Sequence, residues 1–490
     1  MLINPSVSVC SAFLKKVFLL SSRGFLPQSY YCNELWQSRL SHSSFKNTNA
    51  RDLGVAILQA ISSNRVVSPL DYDTFANKIH ELDIVSTDFI ENVIEKYTHT
   101  QSAIEVVDSS AHALVRGFLD FRKQDNVLNL ARRRASTGVF LDAIAANMLA
   151  DRFTDLEDWS SVIHVMWELC LQNYFNEDSV SVLPLAFSLL AGVKLVHELP
   201  PEPVLTNTDE SGEVQYVFVP YVRNPNYDNF FDIERVRLKL GFLWLQVVQL
   251  INNRAHSVDT VPEMREELNR VCPKLVTGLK LFGLSLSEQL GPLKTELSKL
   301  SSAEQLEKTL LSTDVFEKLL KVTESVCARD DTEPIERGQP VHPTKSEVAS
   351  TVAEIRNLTE ISKQLPKDFL TESICLANEI TSNKACLDHE IAAVSQLYDR
   401  FAHEREARWS ARQEVNREHT IIRNARQTLR EIVDEEERLN YFRDLETISL
   451  KAWLAPRTRK ERHWSRMKEW RQDIARQHAK QQEEREPKIS

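Results

Sequence analysis

Glycine is scarce in this chain: 11 in 490 residues, against the usual ~7% of a globular protein. Doubly wound sheets, β-barrels and phosphate-gripping loops spend glycine at tight turns and close approaches. Those architectures are disfavoured, and a helical protein with few tight turns is favoured. The seven cysteines, Cys10, Cys32, Cys170, Cys272, Cys327, Cys375 and Cys386, contain no CxxC pair. That dispersal fits reduced, mostly buried thiols better than a disulfide framework or a zinc site. No apolar run reaches the ~20 residues needed to span a bilayer, so no membrane partner is expected. The motifs G-x-S-x-G, P-loop, H-E-x-x-H and G-x-G-x-x-G are also missing. Gly278, Gly283 and Gly291 lie in a leucine-rich amphipathic run and read as helix ends. His164 has one carboxylate, Glu168, a turn away, which is a common surface pair. No enzyme, cofactor or metal is needed to explain these residues. The net charge of −10 argues against a uniformly basic nucleic-acid coat, while 42% hydrophobic residues suffice for a core.

The amino terminus has its own composition. Residues 1–44 carry one acidic residue, Glu34, against Lys15, Lys16, Arg23 and Arg39, with serines throughout. Phe13, Val17, Leu20 and Phe25 supply an amphipathic apolar set. A basic, Ser-rich, acid-poor start is the mitochondrial targeting pattern, and Lys15-Lys16 interrupts any secretory apolar core. The expectation is a transit peptide over 1–48; the alternative is an addressless tail.

A period of 35 then emerges. Shifting 109–142 by 35 places Leu114 on Leu149, Phe118 on Phe153, Val127-Leu128 on Val162-Ile163 and Val139-Phe140 on Tyr174-Phe175. Apolar spacing inside each unit is helical. Asp125 and Ser160 are expected to cap the second helices, and Gly138 and Asn173 to end them in left-handed backbone. Each unit is a helix pair too small to bury its own apolar face, and stacking on a neighbour is the remedy. A less regular pair precedes them, with Phe75, Ile79, Phe89 and Val93 as its seam. The helix 183–196 follows. The alternative is chance similarity between two ordinary helical hairpins.

The run Val127-Leu128-Asn129-Leu130 and then Gly138-Val139-Phe140-Leu141-Asp142 resembles the pentatricopeptide repeat, with Leu141 and Asn176 in place of its usual proline. The layout of leader, a few degenerate repeats, acidic middle and charged helical tail is similar to the pentatricopeptide-repeat family of the mitochondrial small ribosomal subunit. That resemblance is strongest over 72–196. It implies an all-α fold: a short helical-repeat solenoid over 67–199, followed by further helices and a charged helical C-terminal region. It also implies a matrix location, and small-subunit ribosomal RNA and other mitochondrial ribosomal proteins as partners. Base-selecting positions would fall on His112 with Asp142 and on Asn147 with Glu177. His112 departs from the small or amide residue usual there, which favours shape and phosphate contacts over base reading.

Downstream, 200–229 reads as a loop insertion with an extended piece at 215–219, 230–327 as helical, 328–346 as a linker, and 347–450 as helical and coiled-coil-like. A break is expected at Gly291-Pro292. Two seams of 3,4 spacing stand out: Leu387, Ile391, Val394, Tyr398 and Phe401, then Ile422, Ala425, Leu429 and Ile432. They fit either a partner helix or packing on their own chain. The tail, 451–490, interleaves Trp453, Trp464 and Trp470 with basic residues. Arg457, Arg459, Lys460 and Arg462 form its tightest cluster, and Arg132, Arg133 and Arg134 form a second. Both are candidate RNA contacts by phosphate neutralisation, with a solvated or capped helix as the alternative. Two function classes remain: a structural component of the mitochondrial small ribosomal subunit, or a free pentatricopeptide RNA-binding factor for mitochondrial transcripts. Two clear repeats could name only about two bases at one base per repeat, which disfavours the second.

Overall fold

The computed structural model describes residues 25–46, 48–83, 86–176, 181–198, 235–256, 262–300, 303–326, 328, 343–455 and 458–485. Residues 1–24, the insertion with its expected extended piece, and nearly all of the linker lie outside them. Two compact units divide the chain, 1–409 and 410–490. The division falls inside one long helix, not at either end of the region 347–450.

In the first unit, residues 25–46 form a strap: 3-10 turns Gln28–Tyr31, Arg39–Ser41 and Ser43–Phe45 around helix α1 (Asn33–Ser38). These residues fall within the expected transit peptide 1–48, and Leu26, Tyr30, Trp36 and Phe45 are buried. Next come α2 (Ala50–Ser62), α3 (Pro69–Lys78), α4 (Thr87–Thr98), α5 (Asp108–Asp120), α6 (Gln124–Arg132), α7 (Arg134–Thr137), α8 (Ala143–Asp155), α9 (Trp159–Leu171), α10 (Leu183–His197), α11 (Val236–His256) and α12 (Pro262–Leu286). The fold is all-α. The first helices of successive pairs, α3, α5, α8 and α10, touch in order to make one row. The second helices touch in order too: α4 on α7, α6 on α9, α9 on α11. Stacking therefore closes the apolar faces that no pair closes alone. Val127, Leu128, Val162 and Ile163 are all buried.

Helix ends follow local chemistry, with two shifts from expectation. Gly138 ends α7 at φ 65°, and Asn173 stands just past α9 at φ 61°. Both adopt the left-handed backbone that glycine and asparagine tolerate best. Asp125 is not a cap but lies in the first turn of α6, where its charge meets the positive helix end. Asp158, not Ser160, caps α9: its carboxylate accepts from the Ser161 N–H at 3.2 Å. Glu157 at φ 58° turns the chain just before it.

The remaining helices are α13 (Leu290–Lys299), α14 (Ala303–Lys308), α15 (Thr313–Glu324), α16 (Lys345–Ile361), α17 (Phe369–Ser382), α18 (Lys384–Arg443), α19 (Leu445–Leu454) and α20 (Arg459–Arg485). The break before α13 falls at Ser287–Gln289, with Glu288 at φ 64°. Gly291-Pro292 sits just after it, in the first turn, where a missing N–H costs nothing. Gly283 is not a helix end. A Cβ on Gly241 would stand 2.5 Å from the Ser287 nitrogen and 2.9 Å from the Gly283 carbonyl oxygen. Glycine there lets α11 and α12 cross backbone to backbone. Gly278 likewise faces the Phe369 ring from mid-helix.

The first seam on α18 packs within its own unit, in a register shifted at its start: Cys386, Glu390, Val394, Tyr398, Phe401 and Arg405 are buried. Leu387 and Ile391 are only half-buried. In the second unit Ile422, Leu429 and Ile432 are exposed. Among the described residues no helix is long and apolar enough to cross a membrane.

The repeat packing predicts that Leu128→Ala, which removes a side chain only 6% exposed, costs about 2–5 kcal/mol. Chemical denaturation of the two proteins measures it; coincident curves would show that the repeat register is misassigned.

Candidate nucleic-acid interface

The resemblance puts the candidate base-selecting residues His112 and Asn147 on the first helices, so that row comes first. It is filled by the protein itself. The strap and the first part of α18 run side by side across α10, α8, α5 and α3. At α10, the Phe25 and Phe187 ring centroids are 5.1 Å apart. The Glu390 carboxylate accepts the Val182 N–H just before the same helix, at 3.1 Å. At α8, the Leu26 N–H and the Tyr31 hydroxyl both donate to Asp151, at 2.8 and 2.6 Å. The Asn147 amide donates to the Tyr30 hydroxyl at 3.1 Å.

At α5 the crossing is polar and aromatic. Arg116 donates to the Tyr31 carbonyl at 2.9 Å and to the Tyr398 hydroxyl at 2.5 Å. His112 is fully buried, with Nδ1 2.9 Å from Asp142 Oδ2 and Nε2 3.2 Å from the Tyr398 hydroxyl. The Trp36 indole packs edge-on against the His112 ring at 5.2 Å. The Arg39 guanidinium lies 3.6 Å from the Trp36 ring centroid, a cation–π contact. At α3, Arg405 donates to Asp73 Oδ2 at 2.9 Å. Ser109, Ser110 and Asn77 all donate to Asp73 Oδ1. Both charges are buried, Arg405 at 3% and Asp73 at 1% exposure.

The electrostatics follow from this packing. Burial pushes the Asp142 carboxyl up, but His112 and the N–H groups of Ala145 and Ile144 outweigh it and hold it below the ordinary carboxylate value. Burial pushes Tyr398 up to about 12, against Arg116. It pushes Asp151 up to about 6, against the hydrogen bonds from Tyr31 and Leu26.

The structure therefore brings together His112 and Asp142, the pair that the resemblance placed at a base-reading position. It also spends them on the protein's own side chains. Asn147 is spent on Tyr30, and Glu177 lies outside the described residues. Tyr30, Trp36, Arg116, Tyr398 and Arg405, which do the filling, were not singled out as site residues by sequence. Their signals were a tryptophan inside a leader-like stretch, a tyrosine on an apolar seam and an arginine continuing that seam.

The basic candidates lie elsewhere. Arg132 and Arg133 are exposed near the end of α6, and Arg133 pairs with Glu95 at 3.2 Å. Arg134 turns inward to an ion pair with the buried Glu168. Glu168 is thus taken by Arg134 and not by His164. The His164 ring instead meets Lys239 Nζ at 2.9 Å. Burial, then Lys239 and Arg132, lower its pKa to about 3. The second unit presents Arg459, Lys460 and Arg462 on the exposed first turn of α20; Arg457 is outside the described residues. A capping box fixes that turn: the Thr458 N–H donates to Glu461 at 2.8 Å, and the Glu461 N–H donates to Thr458 Oγ1 at 3.3 Å. Trp464 and Trp470 are 72% and 58% exposed along the same helix. Among the described residues, no group of three or more candidate ligands could hold a metal ion.

A two-row α-helical repeat whose first-helix row is closed by its own chain defines a scaffold class. The family model for mitochondrial 28S ribosomal protein S27 matches residues 3–431. The chain belongs to that family. It is a mitochondrial small-subunit ribosomal protein of the matrix, and its family implies ribosomal RNA and ribosomal proteins as its surroundings. The match ends before α20.

Two outcomes follow for the filled row. Arg405→Ala leaves Asp73 buried without its countercharge and should cost roughly 3–5 kcal/mol. Arg405→Ala with Asp73→Asn should cost less. Equal losses in denaturant unfolding would show that the charges are not coupled. Asp151→Asn has a pH signature. A folded pKa raised to about 6 contributes stability that is complete below the unfolded value and is lost as pH rises through 6. The asparagine, which mimics the protonated form, should gain on the wild type by about 1–3 kcal/mol between pH 4 and pH 7.5. A pH-independent difference would contradict the assignment.

Proposed function

We propose that this protein is a structural component that docks on small-subunit ribosomal RNA and on neighbouring ribosomal proteins, and that it does not read transcript sequence. The observation that carries this reading is the filled first-helix row. His112 and Asn147 are buried beneath Tyr30, Trp36 and Tyr398. A base could stack or hydrogen-bond there only by displacing several core aromatics and a buried ion pair. That argues against the free transcript-binding factor.

RNA contact then falls to exposed basic surface. The α20 cluster is the better candidate of the two. Arg134 is committed to Glu168 and Arg133 to Glu95, and Arg132 ends α6, where a helix C-terminal end favours positive charge anyway. Arg459, Lys460 and Arg462 instead crowd a helix N-terminal end, where the helix dipole disfavours them. An anionic ligand would relieve that crowding. The exposed indoles of Trp464 and Trp470 add stacking surface for an unpaired base.

Changing Arg457, Arg459, Lys460 and Arg462 to Ala should weaken binding to small-subunit ribosomal RNA across fragments. It should flatten the salt dependence by up to about four phosphate contacts. The melting temperature should stay put, because Arg459, Lys460 and Arg462 are exposed. Filter binding across a salt series measures this. An unchanged slope would move the contact to the arginines of α6 or to protein neighbours.

A further inference from the structure

The part of α18 that belongs to the second unit carries an ordered seam on its surface. Ile422, Leu429, Ile432 and Leu439 recur at spacings of seven, three and seven. They are between 48% and 62% exposed. With Ala425 and Glu436 in the gaps, they hold the a and d positions of a coiled-coil heptad. Ile421 and Phe442, also exposed, flank the stripe. Scattered apolar residues on a surface need no explanation, but a continuous stripe marks an interaction site. Charge is sorted along the same stretch. From 412 to 430, five arginines stand against Glu414 and Glu418. From 431 to 446, seven carboxylates stand against Arg438 and Arg443. The sign changes between Arg430 and Glu431. The midpoint of the apolar seam, halfway from Leu429 to Ile432, falls at the same place.

We infer that 418–443 is a self-pairing surface, and that its occupant is the same stretch of a second copy of this chain, running antiparallel. A partner helix must present the mirrored order of charges about the mirrored seam, and this chain supplies both. About a two-fold axis between 430 and 431, Leu429 meets Ile432 of the second copy and Ile422 meets its Leu439. Ala425 meets Glu436: the small side chain leaves room for the carboxylate, and Arg426 stands beside Ala425 as its countercharge. That polar layer among apolar ones fixes the register. Glu418 meets Arg443 and closes each end. Ile421 and Phe442 face each other along one flank. Each basic half lies on an acidic half. A parallel pair would instead set the four carboxylates 434–437 against themselves, and like charges opposed in this way disfavour it. The paired stretch of 26 residues is about 39 Å long, nearly four heptads. The inference does not rest on where RNA binds.

The test is the mass of the full-length protein in solution, measured by light scattering at micromolar concentration. The expected result is a dimer that dissociates on dilution. Changing Arg423, Arg426 and Arg430 together to Glu should give a monomer, and so should changing Glu435, Glu436 and Glu437 together to Lys. Each change opposes like charges across the seam, and all six side chains are exposed, so the fold of the chain is untouched. Mixing the two variants should restore a dimer that holds one of each. Leu429→Ser, which removes the central apolar contact and no charge, should also give a monomer. A monomeric wild type overturns the proposal, and the seam then belongs to the helix of a different protein. A dimer that survives both charge changes overturns it as well, because the copies would then be joined through another surface.

Discussion

Asp73 and Arg405 are 332 positions apart in the chain and meet, buried, at 2.9 Å. Taking two charges out of water is costly, and their attraction offsets that cost only when the remaining lone pairs and protons are satisfied. Here Ser109, Ser110 and Asn77 complete Asp73, and the Phe45 ring lies 5.0 Å from the Arg405 guanidinium. One pair thus ties α3, α5, the strap and α18 to a single register. Its geometry is directional, unlike apolar contact. If α18 slid by one residue against α3, a charge would be stranded.

That constraint extends along the first-helix row. The row that would face a single strand is polar in the right places: His112, Asp142, Arg116 and Asn147 line it. Those groups need partners once water is excluded. Tyr30, Tyr31, Trp36 and Tyr398 provide them from within the chain. The first-helix row is thus core and not open surface. Exposed charge is left to the second-helix row and the tail.

The two seams of α18 show how one helix can serve both ends of this arrangement. Up to Arg405 its buried side alternates apolar and ionisable groups that match the first-helix row. Beyond Trp409 the spacing persists in Ile422, Leu429 and Ile432, but the side chains are exposed. The same periodicity therefore means internal packing in one stretch and not in the next.

The sequence by itself determined the class of elements and most of their positions. Thirty-five-residue periodicity, helical apolar spacing, Gly138 and Asn173 act within one turn or one helix pair, and their physics is local. It also marked Leu128 and Ile163 as buried, because a face that recurs every turn must be covered by something. What it did not determine was the occupant of each face. The strap read as leader because its few charges and many serines match a targeting composition. Only the tertiary structure shows Trp36 and Tyr30 against α5 and α8. Glu390 and Arg405 fell outside the apolar seam for the same reason: a charged side chain is buried only where a distant partner compensates it. Asp73 is that partner for Arg405. Pairings across hundreds of residues leave no trace in local spacing, and they decided which surface of this protein is closed.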